Sequence, residues 1–245
     1  MHFIRPKGKI KNVKNFEVHY NGQVIKGQKH VKYLGVLIDQ DLSGESMYAH
    51  VIPKVKSKLK FLYRYKNCLD QTLRKKLCNA LILCHFDYCS TSWFPNLSAF
   101  QKQKLQIALN KVSRYILDIS PRTHIGQSEL NKIGLLNICD RVKFLRLNHF
   151  FKIKFNKGPV YLCDNFNAVS HVQQTRACKY DFFVPRVQGI ASKTFYFIGI
   201  KDWNNLPDQI KSIRNILKFK SRTKEFLAKR AIAMENCEFK TFQVG

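Results

Sequence analysis

Acidic residues are scarce in this chain. Sixteen Asp and Glu stand against 43 Lys and Arg, a formal charge of +27. A folded protein with that excess repels itself unless a polyanion neutralises it, so nucleic acid is the first partner to consider and an anionic membrane the second. Long apolar runs are also lacking. The longest, near Leu77 to Phe86, is about half of the ~20 residues that a spanning helix needs. The opening Met-His-Phe-Ile-Arg-Pro-Lys-Gly-Lys has no apolar signal core. These absences predict an intracellular protein of the nucleus or cytoplasm, with no membrane partner and no small-molecule substrate. Its eight cysteines are expected as reduced thiols.

Clustered carboxylates and metal-ligand pairs are absent too. Two-metal phosphoryl transfer needs several carboxylates converging on Mg²⁺. The chain offers Asp39 and Asp41, which end a strand and begin a loop and read as turn and cap residues. No Asp-Asp pair and no glycine-rich phosphate loop accompanies them. Cys84-His85 with Cys89, and Cys68 and Cys78, lack the paired Cys-x-x-Cys or His-x-x-x-His spacing of a zinc site. Cys84 falls on an apolar stripe and is expected as a small core residue. The residues by themselves imply no catalysis, cofactor or metal.

What the chain does have is a core: 45% of its residues are apolar. Phe16, Val18 and Tyr20 alternate with polar residues, and Asn21-Gly22 predicts a two-residue hairpin turn before Val24 resumes the pattern. A strand is expected from Val31 to Asp39, its Tyr33–Asp39 part buried. From Ser46 the period turns helical, with Val51, Val55, Leu59 and Leu62 on one stripe. Pro53 belongs in a first turn, which would start the regular helix near Val51. Asp70 caps a second helix carrying Leu73, Leu77, Leu81 and Cys84, ended by a loop with Trp93 and Pro95. Phe100, Leu105, Leu109, Val112 and Ile116 share the face of a third, which Pro121 stops. Ser128–Ile133 is a short helix broken at Gly134, and Asn137 with Asp140 opens another that reaches Phe155. Residues Asn165 to Gly189 are loop-rich with a short strand at Asp181–Pro185. A last helix spans Ile213 to Ala233, with Ile216, Leu217, Phe219 and Phe226 apolar.

The helix from Val51 to Lys66 is the best candidate site. Lys54, Lys56, Lys58, Lys60, Arg64 and Lys66 crowd it, and no acidic residue lies between His50 and Leu69. Lys56, Lys60 and Arg64 stand four apart, on one line that can follow phosphates as point charges without reading bases. Tyr63 and Tyr65, interleaved with these cations, are candidates for stacking on exposed bases. A second basic block, Lys218, Lys220 and Arg222 with Lys224, lies on the last helix.

Several segments resemble, in family order, the reverse transcriptase of non-LTR (LINE-type, jockey-like) retrotransposons. Tyr33-Leu34-Gly35-Val36-Leu37-Ile38-Asp39 resembles the primer-grip segment at the palm–thumb boundary, and Met1 to Lys9 the strand before it. Ala80-Leu81-Ile82 with Phe86-Asp87-Tyr88-Cys89-Ser90 and Trp93, then Leu105-Gln106 through Arg114, resemble thumb segments. Gly134-Leu135-Leu136 with Arg141 follows. Arg176, Phe183-Val184-Pro185-Arg186, Lys193-Thr194-Phe195 and Trp203-Asn204-Asn205-Leu206-Pro207 resemble the C-terminal hallmark, with Phe219-Lys220 through Leu227 after it.

The resemblance implies an α+β, mostly helical fold. Residues 1–42 would be a palm remnant with a primer-grip-like strand (Tyr33, Leu34, Gly35), 43–126 a helical thumb-like domain, and 127–245 a helical C-terminal region. The family's catalytic Asp-Asp motif, fingers and most of the palm have no counterpart here. The implied function is that of a truncated C-terminal fragment, binding the backbone of a template–primer duplex (RNA–DNA or DNA) without catalysis of its own. Mg²⁺ would belong to the intact parent polymerase. A repurposed stand-alone nucleic-acid-binding protein and a non-functional gene-model fragment are the alternatives. In the hallmark, Trp203 and Leu206 are expected to pack, Asn204 to cap or turn the chain, and Pro207 to start the last helix or its approach.

Overall fold

Asn21-Gly22 closes a hairpin, as its turn chemistry demands. Strand β1 (Glu17–Tyr20) pairs antiparallel with β2 (Gln23–Lys26), and both turn residues have positive φ. The structure, a computed structural model, describes residues 17–155, 157–164, 166 and 181–242. The strand expected over Met1–Lys9, Phe16, Arg176 and most of the loop expected from Asn165 lie outside the described residues.

The single strand expected from Val31 to Asp39 is instead a second hairpin. Strand β3 (His30–Tyr33) pairs with β4 (Val36–Asp39), and Leu34 and Gly35 turn the chain at φ 46° and 82°. Only glycine adopts such a conformation without cost, and an apolar Leu at the other corner hides the turn from a reading based on polarity. The strand is not buried as expected: Tyr33 and Leu34 are exposed, and only β4 turns inward.

Asp39 joins this hairpin to helix α1 (Glu45–Tyr63). Its buried carboxylate accepts hydrogen bonds from the Ser46 amide (3.3 Å) and the Ser43 hydroxyl (3.1 Å), satisfying an amide that the first helical turn leaves open. The helix therefore starts well before Val51, and Pro53 lies inside it. Met47, Val51, Val55, Leu59 and Leu62 bury the expected stripe.

Helix α2 (Gln71–Cys78) is capped by Asp70, which accepts from the Leu73 amide at 2.9 Å. Its expected stripe of Leu73, Leu77, Leu81 and Cys84 is displaced. The buried line is Arg74, Cys78, Ile82 and Phe86, and Cys84 is exposed, bonding only the Ala80 carbonyl at 3.1 Å. A π turn over Asn79–Leu83 continues this line, its wider turn keeping Cys78, Ile82 and Phe86, each four apart, on one face. Helix α3 (Cys84–Asp87) carries on from the π turn, and α4 (Ser90–Trp93) forms where a loop with Trp93 was expected. Helix α5 (Ala99–Leu117) buries Leu105, Leu109, Val112 and Ile116 but leaves Phe100 exposed.

Helix α6 (Gln127–Lys132) ends at Gly134, and α7 (Ile138–Lys154) is capped by Asn137 through the Asp140 amide at 2.8 Å. After α8 (Val160–Cys163), α9 (Phe195–Asn204) and α10 (Asp208–Lys211), helix α11 (Ile216–Phe242) closes the described chain. No strand forms at Asp181–Pro185. Phe182 is held by Asn204, whose side-chain amide donates to its carbonyl (2.8 Å) and accepts from its backbone amide (3.3 Å). Asn204 thus clamps a neighbouring segment rather than capping its own. On α11 Phe219 is buried but Leu217 is exposed, against expectation.

Two apolar clusters result. One gathers α1, α2, α5 and the first turns of α7. The other is aromatic, with Phe150, Phe151, Trp203 and Phe219. Helix α7 serves both, Ile138 and Val142 on the first and Leu147 to Ile153 on the second. Asp202 fixes the second cluster's edge, meeting Arg146 at 2.6 Å and Lys143 at 3.0 Å. The described residues are thus mostly α-helical, with two small antiparallel sheets of two strands each.

Candidate nucleic-acid interface

Helix α1 carries its charge on the faces that its core stripe leaves free. Lys54, Lys56, Lys58, Lys60 and Arg64 are exposed, and no carboxylate pairs with any of the five among the described residues. At 3.6 residues per turn they divide into two lines. Lys56, Lys60 and Arg64 follow one. Lys54 and Lys58 follow another, on the side where three further cationic or titratable groups approach.

Those groups are Lys32 of β3, His50 of α1 and His85 of α3. Burial first, then Lys54 and Lys32, holds the His50 imidazole below its ordinary pKa. His85 is lowered by burial, then by Lys54, Lys58 and His50. Lys54 acts on both rings and His50 acts on His85, so Lys32, His50, Lys54, Lys58 and His85 make one electropositive patch built from the hairpin, α1 and α3. Sequence spacing signalled part of it, since His50, Lys54 and Lys58 stand four apart. Lys32 and His85 carried no such signal, because only folding brings their elements beside α1.

Lys66 stands apart from this patch. It pairs with Asp118, whose other carboxylate oxygen meets Arg74 at 3.0 Å. Hydrogen bonds from Lys66 and then Arg74 hold the Asp118 carboxyl below the usual range. This bridge ties the turn after α1 to the middle of α2 and the end of α5. The second basic block is separate again. Lys218 and Lys220 are exposed and have no ion pair among the described residues, while Arg222 pairs with Glu225 at 3.2 Å. Lys220 acts on His149 of α7 together with Lys152, lowering a pKa already lowered by burial.

The hairpin tip presents Tyr33 outward, and Tyr88 underpins it. The Tyr88 hydroxyl donates to the Leu34 carbonyl, and a Cβ on Gly35 would meet that hydroxyl at 3.2 Å. Tyr63 leans edge-on against Tyr115 at 4.9 Å, and Tyr65 tilts against Phe61 at 5.3 Å. Both tyrosines keep an exposed face. Asp39 is engaged in capping α1, and Asp41 accepts from the Ser43 amide at 3.1 Å. Among the described residues no group of three or more His, Cys, Asp and Glu is placed to hold a metal. No described helix is long and apolar enough to cross a membrane.

No protein-family model, curated protein or solved structure matches the chain. The chemistry of the patch must therefore speak for itself. It is cationic, outward, and mounted on a helix pinned to the core along its whole length. Its chemistry is that of point charges, which can follow phosphates without reading bases.

Proposed function

We propose that the chain binds the phosphate backbone of a template–primer duplex, RNA–DNA or DNA, as the primer-grip, thumb and post-thumb part of a non-LTR retrotransposon reverse transcriptase. It holds the duplex and does not itself polymerise. The observation that carries the binding reading is the unpaired cationic surface of α1, continued by Lys32, His50 and His85 beside it. Lys54, Lys58 and the Lys56–Lys60–Arg64 line would meet phosphates, and Tyr33, Tyr63 and Tyr65 would stand ready for exposed bases. Lys218 and Lys220 form a second, smaller contact.

Segments that resemble the family also engage one another, which supports the assignment. Arg141 forms a two-point pair with Asp87 (2.5 and 2.6 Å), Tyr88 bonds Leu34, and Asn204 clamps Phe182 next to Phe183-Val184-Pro185. A stand-alone nucleic-acid-binding protein is the second reading. In its favour, β4 and α1 bury their apolar faces against described residues of the same chain.

Fluorescence anisotropy with a labelled duplex tests the proposal. Between about 50 and 200 mM salt the affinity should fall steeply, because each neutralised phosphate releases counterions. Changing Lys54, Lys56, Lys58, Lys60 and Arg64 together to Ala should weaken binding at least tenfold on every sequence and flatten the salt slope. Binding that ignores both salt and these changes would overturn it. With Mg²⁺, primer–template and nucleotides no extension is expected, and any incorporation removes the non-catalytic part of the reading.

A further inference from the structure

A cavity of about 250 Å³ lies between α2, the turn from α6 to α7, and α11. Lys75 of α2 and Lys224 of α11 converge on its floor at Gly134. Their ammonium nitrogens lie 3.6 and 3.8 Å from the point that a Cβ on Gly134 would occupy. Gly134 has φ +66°, the conformation that ends α6 and that glycine alone takes without cost. Among the described residues neither lysine has an ion-pair partner. Arg141 and Asp87 also line the cavity and neutralise each other through two hydrogen bonds. Two uncompensated ammonium groups therefore share one small space, with the Asn79 amide beside them and Phe144 on an apolar wall.

Holding like charges together at a cavity partly open to solvent is unfavourable in the free protein. Lys224 registers this: desolvation first, then Arg141 and Lys75, lowers its pKa. A bound dianion would relieve both effects. We propose that the Lys75–Lys224 cavity binds the dianion of a phosphate monoester, with Gly134 as its floor. A monoester carries close to two charges at neutral pH and matches the two lysines, whereas each internal phosphodiester of a nucleic acid carries one. The ligand class is a nucleotide monophosphate or a 5′-phosphorylated oligonucleotide end, the base or sugar lying against the apolar wall. The site is independent of the α1 patch and stands whether or not that patch grips a duplex.

Calorimetric titration of the full chain with inorganic phosphate and adenosine monophosphate tests this. Both should bind, and Lys75→Met with Lys224→Met should weaken them at least tenfold. Lys54→Ala with Lys58→Ala should leave them unchanged, even where it abolishes duplex binding. A short oligonucleotide bearing a 5′-phosphate should compete and its 5′-hydroxyl counterpart should not. Competition by the mononucleotide alone upholds the site for free nucleotides, and competition by both upholds it for nucleic-acid ends. As a check that needs no variant, adenosine monophosphate should protect Lys75 and Lys224 from amine acylation in the native chain. No phosphate binding by folded protein, equal binding by the double variant, equal competition from the 5′-hydroxyl oligonucleotide, or unprotected lysines would overturn the proposal.

Discussion

A methyl group on Gly44 would sit 2.5 Å from the Trp93 carbonyl oxygen, at a residue whose φ is already +76°. Neither partner can yield cheaply, since both are backbone. Gly44→Ala should lower stability in urea by about 3 kcal/mol or more, the sum of left-handed strain and overpacking. Gly22 has a similar φ but nothing within 4 Å of the same position, so Gly22→Ala should cost only about 1–2 kcal/mol. Cys78 makes a second residue-scale case. It is fully buried, and burial pushes its thiol up to about 12. In native protein at mildly alkaline pH it should resist alkylation while Cys68, Cys84 and Cys89 react, as mass spectrometry would show. Neither behaviour is legible in sequence. Asp70 and Asn137 announced their caps because caps are local, whereas the Trp93 carbonyl above Gly44 is 49 positions away.

At the scale of elements, the lines of α1 predict separable effects. Lys54 and Lys58 share their field with His50 and His85, so Lys54→Ala with Lys58→Ala should raise both imidazole pKa values, measurable by NMR titration. Lys56, Lys60 and Arg64 should leave them alone. The histidines also link binding to pH. Both are held below 6.5 in the free protein, so unfolded chains take up these protons first, and the stability tied to the neutral rings is lost as pH falls through the folded values. A bound phosphate backbone favours the protonated rings. Duplex affinity should therefore rise as pH drops from about 7.5 to about 5.5, and His50→Gln with His85→Gln should flatten the profile. Helices α1 and α5, with a steady period, were readable from their apolar stripes, and α7 from its Asn137 cap. The π turn was not, and the buried line runs through Cys78 and Ile82, with Leu77 and Leu81 only partly buried beside it. Nor was the β3–β4 hairpin, whose corner holds Leu34 in place of a polar residue.

For the whole molecule, a net charge of +27 opposes folding and favours binding at once. Added salt screens both effects. The melting temperature of the free protein should rise between about 50 and 300 mM NaCl while duplex affinity falls over the same range. A Tm that falls in parallel with affinity would argue against self-repulsion as the dominant field. Helix α7 links the two apolar clusters, and Phe150 packs within about 6 Å of Phe166, Phe182 and Trp203 ring centres. Phe150→Ala should therefore cost about 3–5 kcal/mol, a core truncation with little room to collapse.

Charge excess, the missing carboxylate cluster and the helical periods are properties of residue order, and they determined by themselves a mostly helical, cationic protein with a charged α1. Which cations act together was decided only by tertiary structure. Packing set Lys32 and His85 beside α1, paired Lys66 with Asp118, and drew Lys75 and Lys224 over Gly134 from opposite parts of the chain. Electrostatic fields depend on distance in space, and helical periodicity reports distance only along a single element.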